Sequence, residues 1–302
     1  MKQYTSLYFV GAGGIGMSAL VRYFLAKGYK VAGYDRTQSP LTTELKAEGL
    51  EIVYEESVES IPDYCRNLET TLVVYTPAIP ASHAGLVYFR EHGFRVVKRA
   101  ELLGLITQSS KGLCFAGTHG KTTTSSMAAH IFHESPIGCN AFLGGILRNY
   151  NSNLILSEQS PFTVIEADEY DRSFHWLHPY MAVVTATDPD HLDIYGTEEA
   201  YLESFAHFTS LIQPGGCLIM KKGIKLVPSV KENVKIYTYS ARDGGDFYAG
   251  NIRIGDGTIV FDFVMPEGCV ADIELGVPVE INIENAVAAM AIAWLNGVSG
   301  DD

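Results

Sequence analysis

The chain has 302 residues, of which 47% are hydrophobic and 19% charged, and this balance excludes an intrinsically disordered chain. Its 35 acidic residues outnumber its 22 lysines and arginines, so the net charge of −13 does not favour nucleic acid or an anionic membrane as a partner. The longest strongly apolar stretch, residues 286–295, is about half of what a transmembrane helix needs. The N-terminus has no apolar core of signal-peptide length, and the five cysteines form no CxxC pair. We therefore expect a cytoplasmic protein without membrane insertion, with reduced and mostly buried thiols.

The first third of the chain alternates short apolar runs with helical patterns. Strands are predicted at residues 7–10, 30–34, 51–54, 71–75 and 95–97, and a helix at residues 16–25. Such alternation is typical of parallel βαβ units. The small polar residues 107–112 have the composition of a linker, so a first domain is predicted over residues 1–108.

A second α/β series follows at once, and it predicts a second domain over residues 109–302. Its predicted strands are residues 113–116, 163–165, 182–185, 216–220, 235–239 and 259–265. Its predicted helices are residues 122–132, 198–212 and 283–295. The sequence contains no internal repeat and no low-complexity tract.

The first glycine cluster, Gly11-Ala-Gly-Gly-Ile-Gly16, fits the pattern GxGxxG between a predicted strand and a predicted helix. Glycines there permit a tight turn close to a diphosphate, and a helix N-terminus favours an anion. Asp35 follows after about 20 residues, where an acidic side chain usually accepts hydrogen bonds from a ribose. The pattern predicts a nucleotide diphosphate site without selecting NAD. A glycine-rich packing turn is the alternative.

The second cluster runs from Gly117 to Thr124 (GTHGKTTT), after a predicted strand and at the start of a predicted helix. Phe115 stands where the pattern GxxxxGK[ST] has its first glycine, so this loop is a shortened variant. In such a loop, backbone N–H groups surround the phosphates, Lys121 reaches the β/γ-phosphates and the Thr122 hydroxyl binds Mg²⁺. We therefore assign ATP binding to Gly117, Thr118, His119, Gly120, Lys121, Thr122 and Thr123.

Two acidic motifs follow later predicted strands. Four carboxylates (Glu166, Asp168, Glu169 and Asp171) lie within six residues and would repel one another unless a cation or solvent relieves them. His191 lies among three aspartates after another strand, and parallel sheets gather such strand ends in one crevice. We predict Glu166 as a Mg²⁺ ligand and His191 as a ligand of a second metal ion. An acidic solvated loop and a locally paired histidine are the alternatives.

Together with Arg99-Ala-Glu and Asp190-His-Leu-Asp, these motifs resemble those of the Mur ligases, in the same order over about residues 5–295. The resemblance implies a Rossmann-like N-terminal domain that binds a UDP-sugar, followed by a P-loop α/β central ATPase domain. It assigns the UDP-sugar site to Gly11, Gly13, Gly14, Gly16, Asp35, Thr76 and Arg99.

The resemblance also implies a reaction of peptidoglycan precursor synthesis. The ATP γ-phosphate passes to the lactyl carboxylate of UDP-N-acetylmuramate, and the amine of L-alanine then attacks the acyl phosphate. Met17-Ser18 after the first glycine motif points to the alanine-adding member of the family. Lys121, Glu166 and His191 are the implied catalytic residues, and Thr122, Glu166 and His191 the implied metal ligands.

The sequence departs from the family pattern at two positions and in length. Ala186 replaces a frequent asparagine, and Ile281 replaces the histidine of an adenine-binding His-Asn pair, of which Asn282 is kept as an ATP contact. Relatives carry a third domain that would begin near residue 300, so we expect a two-domain fragment with little activity alone. A murein-peptide recycling ligase, a non-catalytic nucleotide-sugar-binding module and an NAD-dependent oxidoreductase with an accessory ATPase remain alternatives.

Overall fold

A computed structural model of the chain describes residues 3–242, 244–255, 257–276 and 279–300. The chain divides into two compact units, Met1–Ile106 with Gly144–Leu154, and Thr107–Leu143 with Ile155–Asp302. The first unit therefore includes a short segment from the middle of the sequence. The mixed α/β class predicted from the alternating patterns is confirmed.

The first unit contains a parallel sheet in the order β3-β2-β1-β4-β5. Its strands are β1 (Ser6–Val10), β2 (Lys30–Tyr34), β3 (Glu51–Val53), β4 (Thr71–Tyr75) and β5 (Arg95–Lys98). Its helices are α1 (Ile15–Ala26), α2 (Pro40–Ala47), α3 (Ala84–Glu91) and α4 (Arg99–Thr107). Every residue of β1 is buried because helices cover both faces of a parallel sheet. The strand order reverses beside β1, which places a ligand crevice at the carboxyl ends of β1 and β4.

The second unit is built on a larger sheet in the order β15-β14-β13-β12-β11-β10-β6-β9-β7-β8. Its strands are β6 (Lys111–Ala116), β9 (Phe162–Glu166), β10 (Pro179–Val184), β11 (Cys217–Lys221), β12 (Lys235–Ser240), β13 (Phe247–Gly255), β14 (Thr258–Met265) and β15 (Gly268–Leu275). The remaining two strands, β7 (Asn140–Leu147) and β8 (Ser152–Ile155), run into and out of the segment 144–154 that is assigned to the first unit. Its helices are α5 (Lys121–Glu134), α6 (Leu192–Tyr195), α7 (Glu198–Ser210) and α8 (Ile281–Leu295). The pairs β13–β14 and β14–β15 are antiparallel, whereas the strands from β12 to β9 are parallel.

Local sequence explains where several helices begin and how two of them pack. The Ser39 and Thr197 hydroxyls accept backbone N–H groups in the first turns of α2 and α7, and Pro40 occupies the first helical position of α2. Helix α5 packs against α8, which buries a run of alanines that includes Ala288 and Ala289. Small side chains allow the two helix axes to approach closely.

The predicted linker, residues 107–112, starts at the boundary between the two compact units, although regular structure reaches into both of its ends. Helix α4 runs to Thr107 and β6 begins at Lys111. Thr107 is buried because its hydroxyl accepts the backbone N–H of His178 at 3.0 Å. A small polar residue can thus be buried when a residue distant in sequence supplies its hydrogen-bond partner.

Four of the cysteines are buried and free, as the thiol prediction expected, and Cys269 is exposed. Burial raises the pKa of the Cys65 and Cys139 thiols to about 12, so these two thiols stay protonated. Among the described residues, no helix is long and apolar enough to span a bilayer.

Candidate nucleotide sites

In the first unit, the glycine loop between β1 and α1 is enclosed by the residues predicted to share its site. Gly11 has φ +90°, and a Cβ there would lie 2.9 Å from Thr76 Cγ2. The backbone N–H of Gly13 donates to Asp35 Oδ2 at 2.7 Å. A Cβ on Gly16 would collide with the guanidinium of Arg99. The structure therefore brings the predicted UDP-sugar residues together at the carboxyl ends of β1, β2, β4 and β5.

Asp35 fixes the glycine loop directly. Its Oδ2 accepts the Gly13 N–H, and its Oδ1 accepts the backbone N–H of Thr37 at 3.1 Å. A carboxylate so placed can hold the loop and still accept further hydrogen bonds from a ligand, because each oxygen has two lone pairs.

Asn153 is a contact of this loop that the sequence analysis missed. It is 2% exposed, and its side-chain N–H donates to the carbonyl of Ile15, the first residue of α1, at 2.6 Å. It lies in the segment 144–154, which belongs to the first unit although the flanking residues belong to the second. No local pattern signals this contact, since it depends on tertiary structure alone.

In the second unit, the loop between β6 and α5 is tied to the end of β10. The Thr118 N–H donates to the Ala186 carbonyl at 3.1 Å, and the Thr118 hydroxyl donates to the Asp188 carbonyl at 2.7 Å. The Thr185 hydroxyl donates to the His119 carbonyl. Ala186 holds the loop through its backbone carbonyl, so this contact needs no particular side chain at position 186.

Lys121 opens α5, after Gly120 in the left-handed conformation with φ +82°. Its Nζ donates to the Gly117 carbonyl at 2.6 Å and to Glu169 Oε1 at 2.9 Å. Glu169 is 1% exposed, and burial raises the pKa of its carboxyl while the Lys121 ammonium opposes that shift. The sequence pattern places Glu169 only within an acidic cluster and does not predict its ion pair with Lys121.

The side chains at the two predicted metal positions differ in how close they lie to other possible ligands. The Thr122 hydroxyl donates to Glu166 Oε1 at 2.9 Å, which places two oxygen ligands of the kind that Mg²⁺ prefers side by side at the start of α5. His191 Nε2 lies 4.0 Å from Glu169 Oε1 and 3.8 Å from Asp190 Oδ2. The structure thus places His191 beside Glu169, at the edge of the sheet where the second-metal prediction expects it. Within the described ranges, no three His, Cys, Asp or Glu side chains form a metal-binding group.

Asn282 lies in the first turn of α8, close to the phosphate loop. Its Oδ1 accepts a hydrogen bond from the side chain of Asn285 at 3.3 Å, and Asn285 Oδ1 accepts one from Thr124 in α5 at 3.1 Å. A Cβ on Gly120 would lie 2.9 Å from Asn285 Oδ1. Ile281, which replaces the family histidine, is 58% exposed. The polar link between the α5 and α8 N-termini therefore passes through Asn285.

Two family models together match nearly the whole chain. The model described as "Mur ligase family, catalytic domain" matches residues 6–111, and "Mur ligase middle domain" matches residues 115–293. These matches bear out the resemblance that the motifs carried.

Curated relatives and solved structures agree with the family models. UDP-N-acetylmuramate–L-alanine ligase of Parabacteroides distasonis is 67% identical over 100% of this chain, which spans 65% of that protein. The enzyme of the same name from Flavobacterium johnsoniae is 45% identical over 100% of this chain, again 65% of its own length. The crystal structure of UDP-N-acetylmuramate–alanine ligase from Thermotoga maritima superposes with a TM-score of 0.77 at 24% identity, covering 97% of this chain and 65% of that one. A meningococcal ligase named for UDP-N-acetylmuramate and L-alanyl-γ-D-glutamyl-meso-diaminopimelate superposes with a TM-score of 0.83 at 22% identity, covering 98% of this chain and 95% of that one.

Proposed function

Because the chain belongs to the Mur ligase family, we propose that it carries the UDP-sugar and ATP sites of a cytoplasmic ligase that joins L-alanine to the lactyl carboxylate of UDP-N-acetylmuramate. The proposal draws on the 67% identity with a UDP-N-acetylmuramate–L-alanine ligase, over a length equal to 65% of that protein. Two domains, residues 1–108 and 109–302, each supply one nucleotide site.

The UDP-sugar site is the crevice above β1 and β4. The N-terminus of α1 and the N–H groups of the glycine loop bind the diphosphate. Asp35 holds that loop through Gly13 and turns its remaining lone pairs to the uridine. Thr76 and Arg99, which lie against Gly11 and Gly16, form the walls.

The ATP site is the loop from Gly117 to Thr123 with the N-terminus of α5. The backbone N–H groups of Thr118, His119 and Gly120 surround the phosphates, Lys121 neutralises the β/γ-phosphates, and Asn282 reaches toward the adenine. The ligation depends on positioning and charge neutralisation of the transferring phosphoryl group.

Mg²⁺ fits the residues at the start of α5. Thr122 and Glu166 would hold it, since their oxygens already lie 2.9 Å apart. When bound, the ion neutralises the charge that develops on the β/γ-phosphate oxygens. His191 reaches the same edge of the sheet, where it faces Glu169, and we assign it to the side of the acceptor carboxylate.

The single observation that carries the proposal is the contact of Glu166, at the end of β9, with Thr122, which stands beside Lys121 at the N-terminus of α5. Calorimetric titration of the 302-residue chain with UDP-N-acetylmuramate, MgATP and NADH tests it. We expect the chain to bind UDP-N-acetylmuramate and MgATP, and we expect NADH to compete with neither. Binding of NADH at the glycine loop in preference to UDP-N-acetylmuramate would favour an oxidoreductase and overturn the proposal.

A further inference from the structure

Glu169 differs from every other acidic residue that the structure describes, because its side chain is the one buried carboxylate among them. The chain has 35 aspartates and glutamates, and a charged group is buried only where a partner offsets its desolvation. That partner is Lys121, whose Nζ lies 2.9 Å from Oε1 and 2.8 Å from Oε2.

The backbone around Glu169 fixes this carboxylate in place. Its carbonyl accepts the N–H of Arg172 at 3.0 Å and the hydroxyl of Tyr195. Asp171 and Arg172 both adopt the left-handed conformation, with φ of 50° and 54°. Two consecutive residues in that region are costly for L-amino acids, so the turn is held by its surroundings. The two nearby glutamates have different partners: Glu166, at the end of β9, accepts the Thr122 hydroxyl, whereas Glu169 accepts the Lys121 ammonium.

Lys121 has three N–H donors, and the protein already uses two of them. One donates to the Gly117 carbonyl and one to Glu169 Oε1, and the side chain is 14% exposed. Glu169 Oε2 lies close to Nζ but receives no hydrogen bond from any described residue. A phosphate that approaches Lys121 therefore meets an ammonium whose charge is already offset, beside a carboxylate that repels it.

We propose that Glu169 is the resident counter-ion of Lys121: it holds the ammonium in the nucleotide-free site and gives it up to the terminal phosphates when a nucleoside triphosphate binds. This inference rests on the proposed function, because it takes Lys121 to contact the β/γ-phosphates. Glu169 is a positioning residue that acts through Lys121. Glu169 stabilises the nucleotide-free site through its ion pair with Lys121, and the same ion pair weakens nucleotide binding.

Two consequences of opposite sign follow for Glu169→Gln. In the wild-type background, the substitution leaves a buried ammonium without its counter-ion, which destabilises the nucleotide-free chain. The same substitution removes the charge that competes with phosphate, so it strengthens MgATP binding. In a Lys121→Ala background, the buried carboxylate has lost its partner, so Glu169→Gln should stabilise the chain instead.

The test uses the 302-residue chain with Glu169→Gln, Lys121→Ala, the double variant and Glu203→Gln, a matched change at an exposed position of α7. We expect Glu169→Gln to lower the unfolding temperature by about 3 °C or more and to tighten MgATP binding about tenfold in calorimetry. We expect it to raise the unfolding temperature in the Lys121→Ala background. Glu203→Gln should change neither quantity.

Weaker MgATP binding by Glu169→Gln, or an equal fall in unfolding temperature in both backgrounds, would overturn the inference. The proposed function fails separately, if Lys121→Ala binds MgATP as tightly as the wild-type chain. If Glu169→Gln does not fold, Glu169→Asp serves as the second variant. Glu169→Asp keeps the negative charge but moves it away from Lys121 by the length of one methylene. We therefore expect a smaller gain in MgATP affinity than in Glu169→Gln. A loss of MgATP affinity would count against the inference.

Discussion

At the residue scale, Thr122 offers the cleanest test of magnesium at the ATP site, because its hydroxyl can be removed with almost no change of shape. Thr122→Val should weaken ATP binding about tenfold when Mg²⁺ is present and have little effect when it is chelated. Thr122→Ser keeps the oxygen and should bind MgATP like the wild-type chain. Calorimetry at several Mg²⁺ concentrations measures the difference. Equal losses with and without Mg²⁺ would show that Thr122 contacts the nucleotide in another way.

His83 makes folding of the first unit sensitive to pH. It is 5% exposed, and its Nδ1 accepts the N–H of Leu86 as the N-cap of α3. Burial lowers the pKa of His83, with the carboxylate of Glu56 opposing that shift. Because the folded state favours the neutral ring, its stabilisation is full above the ordinary histidine pKa of about 6.5 and is lost as the pH falls toward the lowered value.

The expected result is a fall in the free energy of unfolding below about pH 6.5, with a slope that approaches 1.4 kcal/mol per pH unit for each such histidine. His83→Asn keeps a good N-cap and should make that fall shallower. The variant should keep part of the pH dependence, because burial also lowers the pKa values of His175 and His178. Urea unfolding between pH 5 and pH 8 measures the slope. The same change at the exposed His92 is the control, and an unchanged slope in His83→Asn would contradict the assignment.

At the element scale, the turn from β6 to α5 depends on Gly117. It has φ +140°, and a Cβ there would collide with Thr185 and lie 2.8 Å from the backbone nitrogen of Ala186. Gly117→Ala should therefore separate the loop from the end of β10, with a loss of stability of about 2 kcal/mol or more and a clear loss of MgATP affinity. The comparison is Gly28→Ala, where φ is +80° but no atom lies within 4 Å of the added carbon. Equal destabilisation by the two variants would refute the role of the contact.

The elements that the sequence predicts well are those with strong local patterns. Strands β2 and β4 are found at the predicted residues, and helices α5 and α8 start within two residues of prediction. Strands β7, β8, β13 and β15 were missed, because glycine, asparagine and aspartate interrupt their apolar pattern. In those strands the sheet imposes the extended conformation, and local propensity does not reveal it.

The candidate sites divide along the same line. The placement of both glycine-containing loops between a strand and a helix could be predicted, since each is a short local motif, and their binding of phosphates stays a prediction. The Glu169–Lys121 pair and the Asn153–Ile15 contact could not, because they join residues 48 and 138 positions apart. The acidic motif alone does not distinguish Glu166 from Glu169, since their different partners, Thr122 and Lys121, lie far away in sequence.

At the scale of the whole molecule, we propose one nucleotide site for each compact unit. Asp35 organises the glycine loop of the first unit, and Lys121 lies at the phosphate loop of the second. Asp35 follows β2 of the first sheet, and Lys121 follows β6 of the second sheet. If the sites are separate, each can be disabled without loss of the other.

The most direct test of that claim is a crossed calorimetric titration of two variants of this chain with two ligands. Lys121→Ala should weaken MgATP binding about a hundredfold and leave UDP-N-acetylmuramate binding unchanged, because a charge-assisted phosphate contact is lost. Asp35→Ala should weaken UDP-N-acetylmuramate binding about tenfold or more and leave MgATP binding unchanged. If either variant loses both ligands to the same degree while still folded, the two sites are not independent and the account is wrong.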